Sequence, residues 1–209
     1  MLYNLFFFIF SSYLTYSTEL FKIKIADREY FYLAQIEKHI LDGSLDPNEL
    51  VYFKHYLEPI SLLSAIYLDY KLNTNNDHER KIQVLKIMDL ILSKGANPDT
   101  MYAPGKIILF DVINDNDLET LELLVKYKVN LNKVVDSKHS LQLASNELFI
   151  KLVALGADIN AVVKNIKSLS LKNILLHALT KNNEFIIEFL FRHGVIVLKM
   201  KSFQKRLEG

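Results

Sequence analysis

The sequence lacks cysteine and tryptophan altogether, and it has only six glycines and four prolines among its 209 residues. Without cysteine, neither a disulfide framework nor a thiolate metal site can form. The glycines are spread along the chain, so there is no glycine-rich phosphate loop, and no Gly-x-Ser-x-Gly motif is present. These absences remove the usual sequence signatures of zinc modules, nucleotide-binding loops and serine hydrolases.

An excess of one charge is also missing, because 25 basic residues face 24 acidic ones and the net charge is +1. A nearly neutral domain has no long-range attraction for a phosphate backbone, so nucleic acid is not an expected partner. Half of the residues are hydrophobic and 23% are charged. This composition excludes disorder and indicates one folded domain or one array.

No apolar run reaches the length of about 20 residues that a membrane-spanning helix needs. The nearest approach is residues 1–17, where an apolar core over residues 5–10 is followed by serines and threonine. Small residues at Thr15 and Ser17 favour a signal peptide, whereas the lack of Lys or Arg before the apolar core argues against one. A cleaved signal, an apolar segment packed on the rest, and a membrane anchor all stay open. The protein is expected to be secreted if this segment is a signal and cytoplasmic otherwise.

What the sequence does contain is a repeated pattern of short apolar segments and bends, clearest in residues 105–133. The second half of this stretch puts four apolar residues on one helical face and three charged residues on the other: Leu118, Leu121, Leu124 and Val125 against Glu119, Glu122 and Lys126. Helices of about ten residues are unstable alone in water. Each copy therefore needs neighbours.

Copies of this pattern recur along the chain. Bends begin at Gly95, Lys128, Gly156 and Gly194, at intervals that bracket a period of about 33 residues, which is typical of one class of repeat. Apolar segments that precede these bends recur as well, over residues 60–66, 107–113, 139–145 and 173–179. The spacing from Leu109 to Lys128 equals the spacing from Leu175 to Gly194. The spacing of the bends and the spacing from apolar segment to bend agree with each other, which indicates a genuine repeat.

The bends GANPD (95–99) and GADIN (156–160), together with the segment LETLELLVKYKVNLN, resemble the helix-exit and hairpin motifs of ankyrin repeats. The resemblance covers residues 27–198 and is strongest in the second half. It implies an all-α, helix-turn-helix solenoid of about four repeats plus an N-terminal half repeat. It also implies a non-catalytic protein-interaction scaffold, with many relatives in microbes and viruses that act on host proteins.

The inner motif departs from the family pattern. Where the family favours Thr-Pro-Leu-His, this chain has Ile-Ile-Leu-Phe at 107–110, His-Ser-Leu-Gln at 139–142 and Asn-Ile-Leu-Leu at 173–176. The departure predicts that the Thr and His hydrogen bonds are lost. Apolar packing is then expected to carry more of the order.

The pattern divides the chain into a segment over 1–17, a capping half repeat over 27–58, an array over 59–198 and a basic tail over 199–209. In the half repeat, Asp27 is predicted to cap a helix that runs to about Leu41. In the first full unit, the inner helix is predicted to begin near Pro59 and the outer helix to run from about 79 to 94. The polar run 73–78 between them is predicted to be part of an insertion of about 14 residues.

The third and last units are predicted to be irregular. The spacing from Leu141 to Gly156 is shorter than in the units on either side, so about four positions are expected to be missing from the helix-to-helix turn near Ser145. A long excursion follows over 162–171. The last outer helix has one charged stripe among many apolar residues, so either residues 199–209 or a partner is expected to cover it. The basic tail is otherwise predicted to be a solvated helix end, with anionic lipid or nucleic acid as the alternative contact.

Catalytic and metal chemistry are not indicated. The six histidines lie in separate segments without paired helical spacing, so they do not form a metal set. His139 stands at the start of an inner helix, and His193 precedes a helix-ending glycine where a cation is favoured. Asp115 and Asp117 lie on a polar turn, where solvation explains them. The sequence therefore predicts no catalytic residue, no metal and no cofactor.

Partner-binding residues come from the family resemblance, which implies binding through a concave groove lined by the hairpin tips and the exposed side of the inner helices. They are Tyr67, Leu68, Tyr70, Tyr102, Ala103, Pro104, Lys106, Asn114, Asp115, Val135, Asp136, Lys138, Lys172, Thr180 and Lys181. The three tyrosines are the expected anchors because aromatic residues dominate interface energetics. The alternative is that they pack the inserted loop or neighbouring hairpins. A rival function is a secreted or membrane-associated spacer directed by residues 1–17.

Overall fold

A computed structural model describes residues 23–25, 28–30, 33–53, 56–72, 78–165 and 170–195. Short strands and helices alternate along this part of the chain. In order, they are β1 (Ile23–Ile25), β2 (Arg28–Tyr30), α1 (Leu33–Leu41), β3 (Leu50–Phe53), β4 (Ile60–Ser61), α2 (Leu62–Leu72), α3 (His78–Ser93), β5 (Met101–Ala103), β6 (Lys106–Ile107), α4 (Ile108–Asn114), α5 (Leu118–Lys126), α6 (Ser140–Leu143), α7 (Asn146–Ala154), β7 (Val162–Asn165), β8 (Ser170–Asn173), α8 (Ile174–Thr180) and α9 (Glu184–Arg192).

These elements repeat in one order: a hairpin, an inner helix and an outer helix. The hairpins are β3–β4, β5–β6, the bridged turn at Val135 and Lys138, and β7–β8. Each is followed by a helix pair, from α2 and α3 to α8 and α9. Helix α1 comes before the first hairpin without an inner partner among the described residues. The predicted ankyrin-type class, about four repeats with a half repeat before them, is confirmed.

The chain forms two compact units. Unit 1 comprises Met1–Val112 and Asp117–Val129, and unit 2 comprises Ile113–Asn116 and Asn130–Gly209. In unit 1, α2 packs on α3, and α1 and α5 both contact α3. In unit 2, α8 packs on α9, and α7 also contacts α9.

A leucine at the second position of every inner helix anchors its repeat. Leu63, Leu109, Leu141 and Leu175 are at most 4% exposed. The sequence predicted this equivalence for the last three. In the first full repeat, the matching residue is Leu63 rather than Leu62. The insertion in that repeat is therefore one residue shorter than predicted.

Side chains just before three inner helices replace the expected threonine. Ser61 Oγ, His139 Nδ1 and Asn173 Oδ1 each accept a hydrogen bond from a backbone N–H in the first turn, at 3.2, 3.2 and 2.8 Å. The predicted loss of such bonds is therefore wrong for the motifs at 139–142 and 173–176, and Ser61 provides a further bond in a repeat that the prediction did not include. Serine, histidine and asparagine all provide an acceptor of suitable reach. Ile107, at the fourth position, has no side-chain acceptor to offer.

The four predicted bends share one helix-ending conformation. Gly95, Lys128, Gly156 and Gly194 all have positive φ, at 98°, 61°, 102° and 73°. The residue after each bend donates its N–H to the carbonyl five residues earlier, at 2.9–3.1 Å. This is the Schellman arrangement, which satisfies the last carbonyls of a helix and favours glycine. Lys128 is the one of the four that meets this requirement with a side chain.

We expect Lys128→Gly to raise the free energy of unfolding by about 0.5–1 kcal/mol. The substitution removes left-handed strain of about 1–2 kcal/mol, part of which is offset by the greater freedom of glycine in the unfolded chain. Urea unfolding followed by circular dichroism measures the difference. Lys128→Ala removes the same lysine but keeps the strain, so it should not stabilise; equal gains from both variants would contradict the explanation.

The half repeat begins later than the sequence suggested. The helix predicted from Asp27 is wrong over Arg28–Tyr30, which is strand β2 paired antiparallel with β1. Strand β1 also pairs with β3, so a four-stranded sheet overrides local helix preference there. Helix α1 begins at Leu33 and buries Ile36 and Ile40. The hairpin follows it, so α1 occupies the place of an outer helix.

In the first full unit, the predicted outer helix at 79–94 agrees with α3 within one residue, but the inner helix starts three residues after Pro59, at Leu62. Residues 73–77 of the insertion lie outside the described residues. Its two ends are tied together by Arg80, whose guanidinium lies 2.5 Å from the carboxylate of Asp69. The Asp69 side chain is 1% exposed. The insertion is therefore closed by a buried ion pair.

Two helical details also differ from the predictions. In the third unit, α6 has only four residues and the following turn only two, so the inner helix, more than the turn, accounts for the missing residues. In α5, Leu121 and Leu124 are fully buried as expected, but Leu118 is 44% exposed. Thr120 takes its place in the core, where its hydroxyl donates to Asp117 at 2.7 Å.

Candidate partner-binding surface

Helix α2 does not present the aromatic anchor that the sequence suggested. Tyr67 is 1% exposed and Leu68 is 5% exposed, because every residue from Leu62 to Asp69 is buried. The prediction that Tyr67 and Leu68 contact a partner is wrong. A helix that is apolar on nearly all sides is typical of a buried helix. That signal was present in the segment LLSAIYL.

Tyr70, one helical turn further, remains half-buried at the surface of unit 1. Burial raises the pKa of its hydroxyl. Beside it, Lys81 Nζ lies 3.2 Å from Asp117 and also pairs with Glu119. Partial burial lowers the pKa of Lys81, but the bonds from Glu119 and Asp117 raise it by more. The charges of Lys81, Asp117 and Glu119 are therefore paired within the fold. Tyr70 remains a candidate partner-binding residue only through the exposed part of its ring.

The side chain of Tyr102 joins the β5–β6 hairpin to helix α4 and is not exposed at the tip of the hairpin. Its ring is 6% exposed, and its hydroxyl donates to the Asp111 carboxylate. Lys71 Nζ lies 3.6 Å from the other oxygen of Asp111, and the Tyr56 ring meets Tyr102 edge-on at 5.9 Å. Burial, and then the charge of Asp111, raise the pKa of Tyr56. The prediction that Tyr102 is an accessible anchor is therefore wrong.

Asp111 and Lys71, which the sequence did not single out, form the partly exposed polar group beside Tyr102. Their side chains are 22% and 34% exposed. Asp111 is the sole charged residue in the apolar segment 107–113. A single charge in an otherwise buried helix usually has a partner, and that signal could have identified it.

The tip of β5–β6 is exposed as predicted. Pro104 and Lys106 are exposed, and Ala103 is half-buried. Gly105 has a φ of +74° and follows Pro104, the order of residues that a type II turn favours. The tip therefore presents a proline and a lysine on a rigid turn.

In unit 2, the corresponding tip is strained. Val135 and Lys138 exchange backbone hydrogen bonds at 3.1 and 3.0 Å, and the two residues between them have positive φ, 48° at Asp136 and 59° at Ser137. Such turns favour Asn or Asp at the first central position and Gly at the second, so Ser137 is the strained residue of the two. Asp136 and Lys138 are exposed, whereas Val135 is 6% exposed and cannot serve as a contact. Strained backbone often marks a functional position.

The remaining predicted residues of unit 2 lie near helix ends. Asn114 and Asp115 are exposed at the end of α4, and Thr180 and Lys181 are exposed at the end of α8. Thr180 Oγ1 donates to a backbone carbonyl at 2.8 Å. Lys172 lies on β8, opposite Val163.

The bends are held by hydrogen bonds from Asp and Asn side chains. Asp46, Asn97, Asn130 and Asp158 each accept a hydrogen bond from the backbone N–H two residues on. Two further asparagines connect one bend to the next. Asn48 donates to Gly95 O at 2.9 Å and accepts from Asn97 N–H at 2.9 Å, and Asn132 does the same with Gly156 and Asp158 at 3.4 and 2.7 Å. These bonds fix the spacing of neighbouring tips.

His139 is a fully buried titratable residue of unit 2, at 0% exposed. Its Nδ1 accepts from Leu141 N–H, so the neutral ring carries its proton on Nε2, which has no hydrogen-bond partner among the described residues. Burial lowers the pKa of His139, with a smaller opposing effect from Asp158. Protonation would add a buried charge and remove the acceptor that caps α6.

We expect stability to fall as the pH drops below the ordinary histidine pKa of about 6.5. The unfolded chain takes up this proton first because the folded pKa is lower, and the loss amounts to about 1.4 kcal/mol per pH unit until the folded pKa is reached. Urea unfolding at pH 7.5 and pH 5 measures it. His139→Thr keeps a capping oxygen and has no charge to gain, so its pH dependence should be smaller. An unchanged pH dependence in that variant would contradict the assignment.

Within the described part of the chain, no group of three His, Cys, Asp or Glu side chains could hold a metal ion. No helix among the same residues has the length and hydropathy to cross a membrane.

The sequence matches no family model and no curated protein. Among solved structures, it is similar to an ankyrin repeat domain from Acinetobacter baumannii AYE, with 20% sequence identity and a TM-score of 0.47. The match covers 78% of this chain and 94% of that chain. The fold class itself follows from the repeated order of hairpin, inner helix and outer helix.

Proposed function

We propose that this chain is a non-catalytic scaffold that binds a partner protein through its hairpin tips and the exposed ends of its inner helices. The observation that carries the proposal is the turn at Asp136 and Ser137, which keeps serine at a left-handed position where glycine costs less. Both charged side chains of this tip, Asp136 and Lys138, are exposed. Such strain is expected to persist where the side chains themselves are used.

The construction of the tips supports the same role. Asparagine bridges hold successive bends within each unit, and the tip of β5–β6 is set by Pro104 and Gly105. Rigid tips lose little conformational entropy on binding, which favours affinity. In unit 1, the proposed contacts are Ala103, Pro104 and Lys106, with the exposed part of Tyr70. In unit 2, they are Asn114, Asp115, Asp136, Lys138, Lys172, Thr180 and Lys181.

Charge reversal at the tips tests the proposal. The variant Lys106→Glu, Asp136→Lys, Lys138→Glu and the unaltered protein are immobilised, and the proteins they capture from candidate cell lysates are quantified by mass spectrometry. A partner should be captured by the unaltered protein and lost by about tenfold or more in the tip variant. Circular dichroism should be the same for both.

The matched control reverses three exposed charges on outer helices or directly after one: Lys86→Glu, Lys94→Glu and Glu122→Lys. It changes the net charge by the same amount and leaves the tips intact. Capture should persist in this control. Equal loss in both variants, or no loss in the tip variant, would refute the tip surface as the binding site.

A further inference from the structure

Lys71 and Asp111 form an ion pair that is partly open to solvent beside Tyr102. The Lys71 Nζ lies 3.6 Å from one oxygen of Asp111, and the two side chains are 34% and 22% exposed. The other oxygen of Asp111 accepts a hydrogen bond from the Tyr102 hydroxyl. A normal N–H···O hydrogen bond is about 2.7–3.2 Å long. The ammonium and the carboxylate therefore attract each other without a normal hydrogen bond between them.

A tyrosine ring lies beside this Lys71–Asp111 pair. The Tyr56 ring is half-buried and meets the Tyr102 ring edge-on at 5.9 Å. The charges of Asp111 and Lys71 change the pKa of Tyr56 in opposite directions, so the Tyr56 hydroxyl lies within electrostatic reach of both. A donor, an acceptor and an aromatic surface are thus brought together, and all of them belong to unit 1.

The two charges of the pair determine which ligands fit it. A cation near Asp111 is attracted by the carboxylate and repelled by Lys71 from a similar distance, and an anion near Lys71 meets the opposite combination. Because contributions of opposite sign and similar size largely cancel, the pair favours neither ion. A neutral amide avoids this conflict, since its N–H donor matches the carboxylate and its C=O acceptor matches the ammonium.

We propose that the Lys71–Asp111 pair binds an amide group of a partner protein, with the Tyr56 ring against the flat face of that amide. Amide nitrogen and oxygen are about 2.2 Å apart, so two hydrogen bonds of about 2.9 Å reach groups 3.6 Å apart with only a slight splay. An Asn or Gln side chain and the backbone of an extended segment share this chemistry. The inference deepens the proposed function and rests on it, because a bound partner supplies the amide.

Small probes test this site in the full chain without a partner. The probes are propionamide for a side-chain amide, N-methylacetamide for a backbone amide, propionate for an anion and propylammonium for a cation. Binding is followed by NMR of ring-labelled tyrosine, with Tyr56 and Tyr102 assigned from their Phe variants. At equal concentration, at least one amide should shift these resonances about threefold more than either ion does. The amide with the larger shift identifies the source, and equal shifts assign both.

Lys71→Met and Asp111→Asn each remove one half of the match between donor and acceptor. Either substitution should reduce the amide-induced shifts about threefold or more, because one hydrogen bond is lost. The controls Lys94→Met and Glu122→Gln alter exposed residues at outer helices and should leave the shifts unchanged. Lys71 is a surface residue, so Lys71→Met decides the test if circular dichroism shows that Asp111→Asn does not fold.

Shifts as large with propionate or propylammonium as with the amides would overturn the proposal in favour of an ion site. Absence of a shift with every probe would overturn it, and so would amide-induced shifts that persist in Lys71→Met. These measurements need no partner, whereas the charge-reversed tip variant tests capture alone. Failure of the amide site and failure of the proposed function are therefore distinguishable.

Discussion

Replacing Arg80 with methionine is expected to lower the free energy of unfolding by about 3–5 kcal/mol. The guanidinium of Arg80 lies 2.5 Å from the carboxylate of Asp69, and that carboxylate is 1% exposed. Removing Arg80 leaves the buried carboxylate of Asp69 without its ion-pair partner in a medium of low dielectric constant. Methionine keeps most of the volume, so the loss reports the charge rather than a cavity.

A surface pair in the same chain provides the control. Arg192 lies 2.5 Å from Glu188, but these side chains are 72% and 65% exposed. Arg192→Met should therefore change stability by less than about 1 kcal/mol. Urea unfolding followed by circular dichroism compares the two variants. Similar losses in both would show that burial does not set the strength of the Asp69–Arg80 pair.

The double variant Asp69→Leu, Arg80→Met separates the pair from its surroundings. It removes both charges together, so it should recover most of the stability lost in Arg80→Met. Recovery supports the loss of the ion-pair partner of Asp69 as the cause. If the double variant is as unstable as the single one, Arg80 acts through packing at the ends of the insertion instead.

Most of the fold could be predicted from helical periodicity and from the residue types at the bends, because both are local features of the sequence. Gly95, Gly156 and Gly194 end helices through positive φ, a requirement that glycine reveals in the sequence. The matched leucines follow from the same register. Lys128 could be placed only by its spacing, since lysine itself does not favour that conformation.

Contacts between residues that are far apart in the sequence could not be predicted from it. Residues 28–30 look helical, but strand β1 pairs with them and with β3. Tyr67 was predicted at a surface because the family places binding residues near the end of an inner helix. In this chain α2 is enclosed by β3, β4 and α3, so that position is buried.

The candidate site was predictable where it depends on turns and not where it depends on burial. Pro104, Lys106, Asp136 and Lys138 are exposed because hairpin tips project by their geometry. The burial of Tyr102 depends instead on Asp111, nine residues away, whose carboxylate accepts a hydrogen bond from the Tyr102 hydroxyl. Such a contact requires knowledge of how the hairpin folds onto the helix.

Equivalent repeats predict equal roles for the leucine at the second position of each inner helix. Leu63, Leu109, Leu141 and Leu175 are all buried. Replacing any one of them with alanine should cost about 2–5 kcal/mol, from lost apolar contact and from the cavity left behind. By contrast, Leu118→Ala should cost less than about 1 kcal/mol because Leu118 is 44% exposed.

Urea unfolding of these four variants, each made singly and compared with Leu118→Ala, tests the repeat architecture most directly. Four matched residues that hold equivalent helices should all give losses in the range of about 2–5 kcal/mol. If one of the four variants loses as little stability as Leu118→Ala, its inner helix is not packed as the others are. The four repeats are then not equivalent.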